Sequence, residues 1–455
     1  MKKLLFLFFI TLISCNKEPE NVDLLIINAT VLDIEQNKRW VNRFVAIRND
    51  TIVAVKTMRN SDDFTAIETY DAKGGFVMPG LWDNHVHFRG GDTLASENKN
   101  LLPLFLKYGV TSVRDAGGDI SKSVFEWKEQ ISKGELQGPR IFSSGPKLDG
   151  ENPAWPGSIS VTNEADVQMA LDSLQKMSAD YVKIYDGSIT KEMYYEIIRE
   201  AEKRKLKVTG HMPMSADVTD AVKYGLDGTE HLYYVMKAAS AKKDSIEKAE
   251  SGYAMIVPLA KTYNDSVAEI VFDELADAEF YVTPTLYIGQ VLKDLADEDH
   301  SGDELLKIIG PGIQETYQGR IMSAKRAKES GSSMRDYTED VFKKMIRPMY
   351  DSGISIMAGS DCGPYNSFVY PGESIHQELK AMVDAGLNTQ EALLTSIKNG
   401  PRFFDQEKYY VSVRKGRIGD LIILSENPLE NIENLESIDA VVKGSKILKP
   451  AELAK

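Results

Sequence analysis

The sequence predicts an α/β protein: a TIM (β/α)8 barrel carrying a small β-sandwich domain formed by both chain ends. Three observations predict it. Eight short apolar strand candidates alternate with helix-like segments through the middle of the chain, and strands that alternate with helices pair in parallel. Eight such units are the count that closes a barrel. The two ends instead alternate apolar and polar residues, as half-buried strands do. The 455 residues suit a large barrel plus a minor domain.

The elements follow in chain order. Lys2 and Lys3 precede an apolar run, Leu4 to Ile13, that ends in Ser14-Cys15. About ten residues cannot span a bilayer, which needs roughly 20, so residues 1–14 read as a targeting signal. The cysteine directly after a small residue resembles a lipobox. It implies cleavage before Cys15, lipidation of that residue, and residues 15–21 as a polar tether. The expected location is therefore outside the cytoplasm, membrane-anchored, on the periplasmic side or at the outer membrane. Cys362 is the other of the two cysteines, so acylation of Cys15 leaves no intramolecular disulfide.

Residues 22–78 alternate, as in Leu24-Leu25-Ile26-Ile27-Asn28 and Phe44-Val45-Ala46-Ile47, and form the N-terminal part of the sandwich. Residues 79–401 carry the barrel. Its strand candidates are Phe76–His87, Val110–Ala116, Arg140–Ser144, Tyr181–Tyr185, Lys207–His211, Gly228–Leu232, Tyr281–Ile288 and Ile354–Asp361. Between them, Glu164–Met177 and Lys191–Arg204 show helical spacing of apolar residues. Long connections after Leu232 and after Gln290 are expected to shape a pocket. His300, in an acidic stretch, is expected to be exposed. Residues 402–455 return to alternation in Leu421–Leu424 and Ala440-Val441-Val442 and complete the sandwich.

Net charge is −14, and an acidic chain repels phosphate backbones, which argues against a nucleic-acid partner. With 42% hydrophobic and 27% charged residues the composition is that of a globular protein. Neither number selects a substrate.

The histidines do more. Of six, four sit at or beside predicted strand C-termini, the end of a TIM barrel where active sites lie. His85 and His87 are two apart on a strand and face the same side, so both can bind one metal. His211 and His231 end adjacent strands. Asp361 ends the eighth strand, beside the first once the barrel closes. It can ligate a metal and accept a proton from metal-activated water, or cap a helix. Lys183 lies among apolar strand residues, where an ammonium is costly. A salt bridge would resolve that; so would carboxylation, whose anion can bridge two metals.

This set resembles the amidohydrolase superfamily: His-x-His on strand one, Lys on strand four, His on strands five and six, Asp on strand eight. Val77 to His87 looks like the opening signature of that family, and Gly416 to Leu424 like the segment where the chain rejoins the β-domain. The run from Gly210-His211 to Glu230-His231 is similar to the imidazolonepropionase-like and Xaa-Pro dipeptidase-like (prolidase-like) branch. The resemblance implies two divalent metal ions, expected to be zinc. His85, His87 and Asp361 would hold one, and His211 and His231 the other. N6-carboxylated Lys183 and a hydroxide would bridge them, with Asp361 passing the proton to the leaving amine. It implies hydrolysis of the C–N amide bond of a dipeptide or N-acyl amino acid. A mononuclear imidazolone-type hydrolase or deaminase, and a non-catalytic ligand-binding lipoprotein, are the alternatives. Imidazolonepropionase itself uses one metal and no such lysine, so Lys183 argues against that activity.

Tyr233, Tyr234 and His376 are candidate substrate contacts. Arg114 and Asp115 are expected to pair at the barrel mouth, and Cys362 to be structural. A homo-oligomer is compatible with the sequence.

Overall fold

The computed structural model describes residues 18–332 and 334–453; the signal segment and Cys15 lie outside the described residues. Eight parallel barrel strands run Leu81–Val86, Val110–Asp115, Arg140–Ser143, Val182–Ile184, Val208–Gly210, Gly228–Glu230, Tyr281–Thr283 and Ser355–Ile356. Regular pairing joins strands one to three, four to five and six to eight. Single backbone bonds carry the ring across the gaps. The Asp180 N–H donates to the Ser143 carbonyl (2.9 Å) and the Asp227 N–H to that of Val208 (3.1 Å). Closure from eight to one rests on Asn84 N–H to Ala358, Asp361 N–H to His85 (2.7 Å) and His87 N–H to Cys362 (2.9 Å).

Three expected strands are shorter than their apolar runs. Phe76–His87 is two strands broken at Gly80. Phe76–Pro79 pairs with Leu421–Leu424 in the β-domain, and Leu81 starts the barrel. A Cβ on Gly80 would stand 2.2 Å from the Thr111 hydroxyl, so only glycine allows the chain to pass between the two sheets here. Tyr281–Ile288 stops at Thr283, because Pro284 has no N–H to continue the ladder. Thr285 then turns left-handed (φ 52°), and Leu286–Asp294 is a helix whose Tyr287 N–H donates to Glu378 (2.7 Å). Ile354–Asp361 is regular only at Ser355–Ile356.

The flanking helices begin where side chains satisfy free N–H groups. Asn163 caps Glu164–Lys176 and Thr190 caps Lys191–Lys203. The first buries Val167, Ala170, Leu171 and Leu174, one stripe of a 3.6-residue period, against the barrel core.

Both chain ends share one hydrogen-bonded sheet of eight strands. The strand Glu20–Asp33 pairs antiparallel with Lys38–Arg48 and parallel with Phe64–Asp71 and Phe76–Pro79. It begins at Glu20, inside the expected tether. Its two faces bury separate cores: Leu24 and Ile26 pack with Val45, Leu421 and Val442, while Leu25 packs with Phe44 and Ala46.

The long connections are helical: Asp265–Asp277 in the first, Pro311–Glu329 and Met334–Ser352 in the second. His300 is not exposed as expected. Its ring stacks on Phe368 with centroids 3.9 Å apart, and its Nδ1 meets Asp303 at 3.0 Å. Phe368, remote in sequence, covers it.

Candidate metal centre

The four strand-end histidines converge, and each has its Nδ1 occupied on the outside. His85 Nδ1 meets Glu230 Oε2 at 2.6 Å, His87 Nδ1 the Gly117 carbonyl at 3.2 Å, His211 Nδ1 Asp186 at 3.0 Å and His231 Nδ1 the Thr285 hydroxyl at 2.6 Å. Carbonyl and carboxylate oxygens only accept, so the first three rings carry hydrogen on Nδ1. Burial lowers the proton affinity of His85 and holds His87 and His231 well below the ordinary histidine range, so these three are neutral. For His85 and His87 both conditions hold, and Nε2 is a bare lone pair.

Those lone pairs face one another. His85 Nε2 and His87 Nε2 are 3.2 Å apart, and Asp361 Oδ1 lies 3.5 Å and 3.2 Å from them. Asp361 Oδ2 is 3.9 Å from His231 Nε2. Two acceptors and a carboxylate this close repel unless a cation lies among them. Two nitrogens on one tetrahedral zinc, each about 2.05 Å away, stand about 3.3 Å apart. The donor set therefore fits a divalent ion. Among the described residues, His85, His231 and Asp361 likewise offer ligand atoms that all lie within 4.8 Å of one another. The His211 ring lies 4.9 Å from that of His231.

Lys183 is buried, and its Nζ has no hydrogen-bond partner among the described residues; Glu230 Oε1 is 3.7 Å away. Burial pulls its ammonium down to about 8, which favours the neutral amine that carboxylation needs.

Backbone strain concentrates here. His231 (φ 60°), Thr285 (φ 52°) and Asp361 (φ 58°) are all left-handed. Each such residue costs on the order of 1–3 kcal/mol, held by the surrounding barrel, and the turn lifts the side chain off the strand line into the mouth.

Glu230 was not anticipated. It is fully buried and receives Arg114 Nη2 at 2.9 Å on both oxygens, Thr209 Oγ1 at 3.0 Å and His85 Nδ1. Burial alone would raise its proton affinity. The Arg114 guanidinium, with Lys183 behind it, outweighs that and holds the carboxyl well below the ordinary range, so it is ionised. The signal was present: a charge inside a buried strand run, the same anomaly that singles out Lys183. Asp186 and Asn366 were also missed, because each acts through a partner far away in sequence. The Asn366 amide donates to Asp361 Oδ1 at 2.9 Å and to the Asp361 carbonyl.

Several expectations are corrected. Arg114 and Asp115 do not pair. Adjacent strand residues face opposite sides; Arg114 reaches Glu230, and Asp115 accepts from the Ser143 hydroxyl at 2.7 Å. His376 is not at the pocket. On the helix Glu373–Asp384 its Nε2 meets the Tyr108 carbonyl (2.8 Å), two residues before the second strand. Tyr234 does not face the cavity either; its hydroxyl donates to Asp186 at 3.3 Å and so buttresses His211. Tyr233 does face it. Cys362 is buried, and burial pushes its thiol well above the usual range, so it is no thiolate nucleophile.

A cavity of about 240 Å³ opens onto the cluster. His211, His231, Tyr233 and Asp361 form its base, and the second long connection supplies Arg320 and Arg335 to its wall.

The description "Amidohydrolase family" applies to a family profile that matches residues 76–448. By sequence, the ochratoxinase of Aspergillus niger is 24% identical over 402 residues, 82% of this chain and 75% of that protein. By structure, a Xaa-Pro dipeptidase solved with methionine in its active site matches with a TM-score of 0.69 at 19% identity, over 94% of this chain and 99% of that one. Bottromycin amidohydrolase matches with a TM-score of 0.72 at 19% identity, over 94% and 87%.

Proposed function

The chain belongs to the amidohydrolase family, and from that membership we propose that it is a two-metal amide hydrolase acting on a dipeptide or N-acyl amino acid. Hydrolysis of a C–N bond comes with the family; the metal count and the substrate are the proposal. One observation carries it: the bare Nε2 atoms of His85 and His87 converge on Asp361 at 3.2–3.5 Å. The names of the Xaa-Pro dipeptidase, the bottromycin amidohydrolase and the ochratoxinase support an amide substrate.

His85, His87 and Asp361 would hold one ion, His211 and His231 a second, with carboxylated Lys183 between. Bound there, two divalent ions lower the pKa of a water and polarise the scissile carbonyl. The chain's own groups do the rest. Lys183 would supply an anionic ligand once its neutral amine adds to carbon dioxide: an N–C bond forms as a C=O π bond opens, one proton leaves and a carbamate anion remains. Asp361 takes a proton from the attacking water and returns it to the departing amine. Tyr233 accepts from Arg335 Nη1 at 3.2 Å, so its own hydroxyl hydrogen is free to point into the cavity and meet the substrate carbonyl. Zinc as the metal, and export on a lipid-bearing Cys15, belong to the same proposal.

A panel of dipeptides and N-acyl amino acids, read by amine release, tests the reaction. Turnover is expected to vanish on chelation and return on adding zinc; undiminished turnover in the chelated protein would refute the metal role. Lys183→Ala tests the bridge. Bound metal is expected to fall from about two ions per chain to one or fewer, and metal reconstitution of the wild type to depend on bicarbonate. An unchanged count would leave a lysine with no part in the centre.

A further inference from the structure

Two guanidinium groups line the cavity, and they are not equivalent. Arg335 is answered by Glu339 at 3.6 Å and by Tyr233. Arg320, on the helix Pro311–Glu329, forms no ion pair among the described residues. Its Nε donates to the Tyr365 carbonyl (3.2 Å) and its Nη2 to Asn366 Oδ1 (3.1 Å), both uncharged acceptors. These two bonds fix the plane of the guanidinium and leave Nη1 without a partner among the described residues. The same Asn366 donates to Asp361, so Arg320 is anchored one side chain away from the metal cluster.

The corner behind it is positive as well. The Arg89 guanidinium stacks 4.1 Å from the Trp155 ring and lies 5.6 Å from that of Tyr365. Lys147 Nζ sits 5.0 Å from the same Trp155 ring without a hydrogen-bond partner among the described residues, and burial holds its ammonium well below the ordinary lysine range, so it adds little charge. Neither forms an ion pair among the described residues. Arg320 is therefore a guanidinium of the cavity wall with no carboxylate of its own among the described residues, and Arg89, in the adjoining cavity beside Tyr365, adds a second positive charge behind it. A half-buried, oriented guanidinium with an idle N–H is built for a carboxylate.

We infer that Arg320 binds the free carboxylate of the substrate, so that the protein takes N-acyl amino acids and dipeptides as acids and discriminates against amides whose amine half lacks that group. This rests on the amide-hydrolase reading. Because Arg320 reaches Asp361 only through Asn366, a substrate carboxylate seated on it lies beside the leaving amine.

The test is calorimetric binding to the metal-loaded full chain, using L-methionine and 3-(methylthio)propylamine, which differ only in the carboxylate. Methionine is expected to bind about 10- to 100-fold more tightly to the wild type, the worth of a charged hydrogen bond. Arg320→Gln is expected to bring the ratio near one, and Arg320→Lys to recover part of it. Equal affinities in the wild type, no binding of either probe, or an unchanged ratio in Arg320→Gln would each overturn the assignment. A loss of affinity for both probes alike in Arg320→Gln would mean that Arg320 only braces Asn366, and would overturn it too. Failure to turn over amides while the preference persists would count against the hydrolase reading and not against Arg320.

Discussion

Asp361→Asn is expected to lower kcat for amide hydrolysis by about 100- to 10,000-fold, the usual worth of a positioned acid–base group. The variant keeps the shape of the side chain and can still accept the Asn366 amide, so thermal stability should change little. It removes the negative charge that lies 3.2 Å from His87 Nε2 and the oxygen that would carry the proton. Loss should appear in kcat and kcat/KM together, since the group acts on the transition state and not on substrate binding alone. Activity within tenfold of the wild type would show that another group moves the proton.

Glu230→Gln is expected to cost about 3–5 kcal/mol of stability, the penalty for stripping a buried ion pair of one partner. Arg114 would keep its full charge in the barrel interior, where Glu230 now meets it at 2.9 Å. The new amide would also set an N–H against another donor. Urea unfolding measures this, and a loss below about 1 kcal/mol would show that the pair is not what neutralises Arg114. The same variant frees His85 Nδ1 and should weaken metal binding by about 10- to 100-fold, as loss of such an outer partner does. Adding Arg114→Met is expected to recover stability but not metal affinity, because the orienting carboxylate stays absent.

Asp361 and Lys183 mark how legible the protein was. Asp361 could be read from the chain because it ends an apolar strand of a countable series, and the barrel order places the eighth strand beside the first. Lys183 could be read because an ammonium between Val182 and Ile184 is costly anywhere. The helices Glu164–Lys176 and Lys191–Lys203 were legible from their spacing to within a residue. Strand ends were not. Hydropathy continues through the break at Gly80, through Pro284 and through the left-handed turns, because a buried loop is as apolar as a buried strand.

By itself the sequence determined the barrel count and the β-domain drawn from both ends, and it singled out the four strand-end histidines, Lys183 and Asp361 as candidates, since each depends on local periodicity and on strand order. Only the tertiary structure decided which nitrogen of each histidine faces inward, that Glu230 and not Asp115 answers Arg114, that His376 meets the Tyr108 carbonyl, and that Arg320 reaches the cavity. Each of those depends on a contact between residues far apart in the chain, such as Arg320 with Tyr365 and Asn366, and periodicity carries no information about such distances.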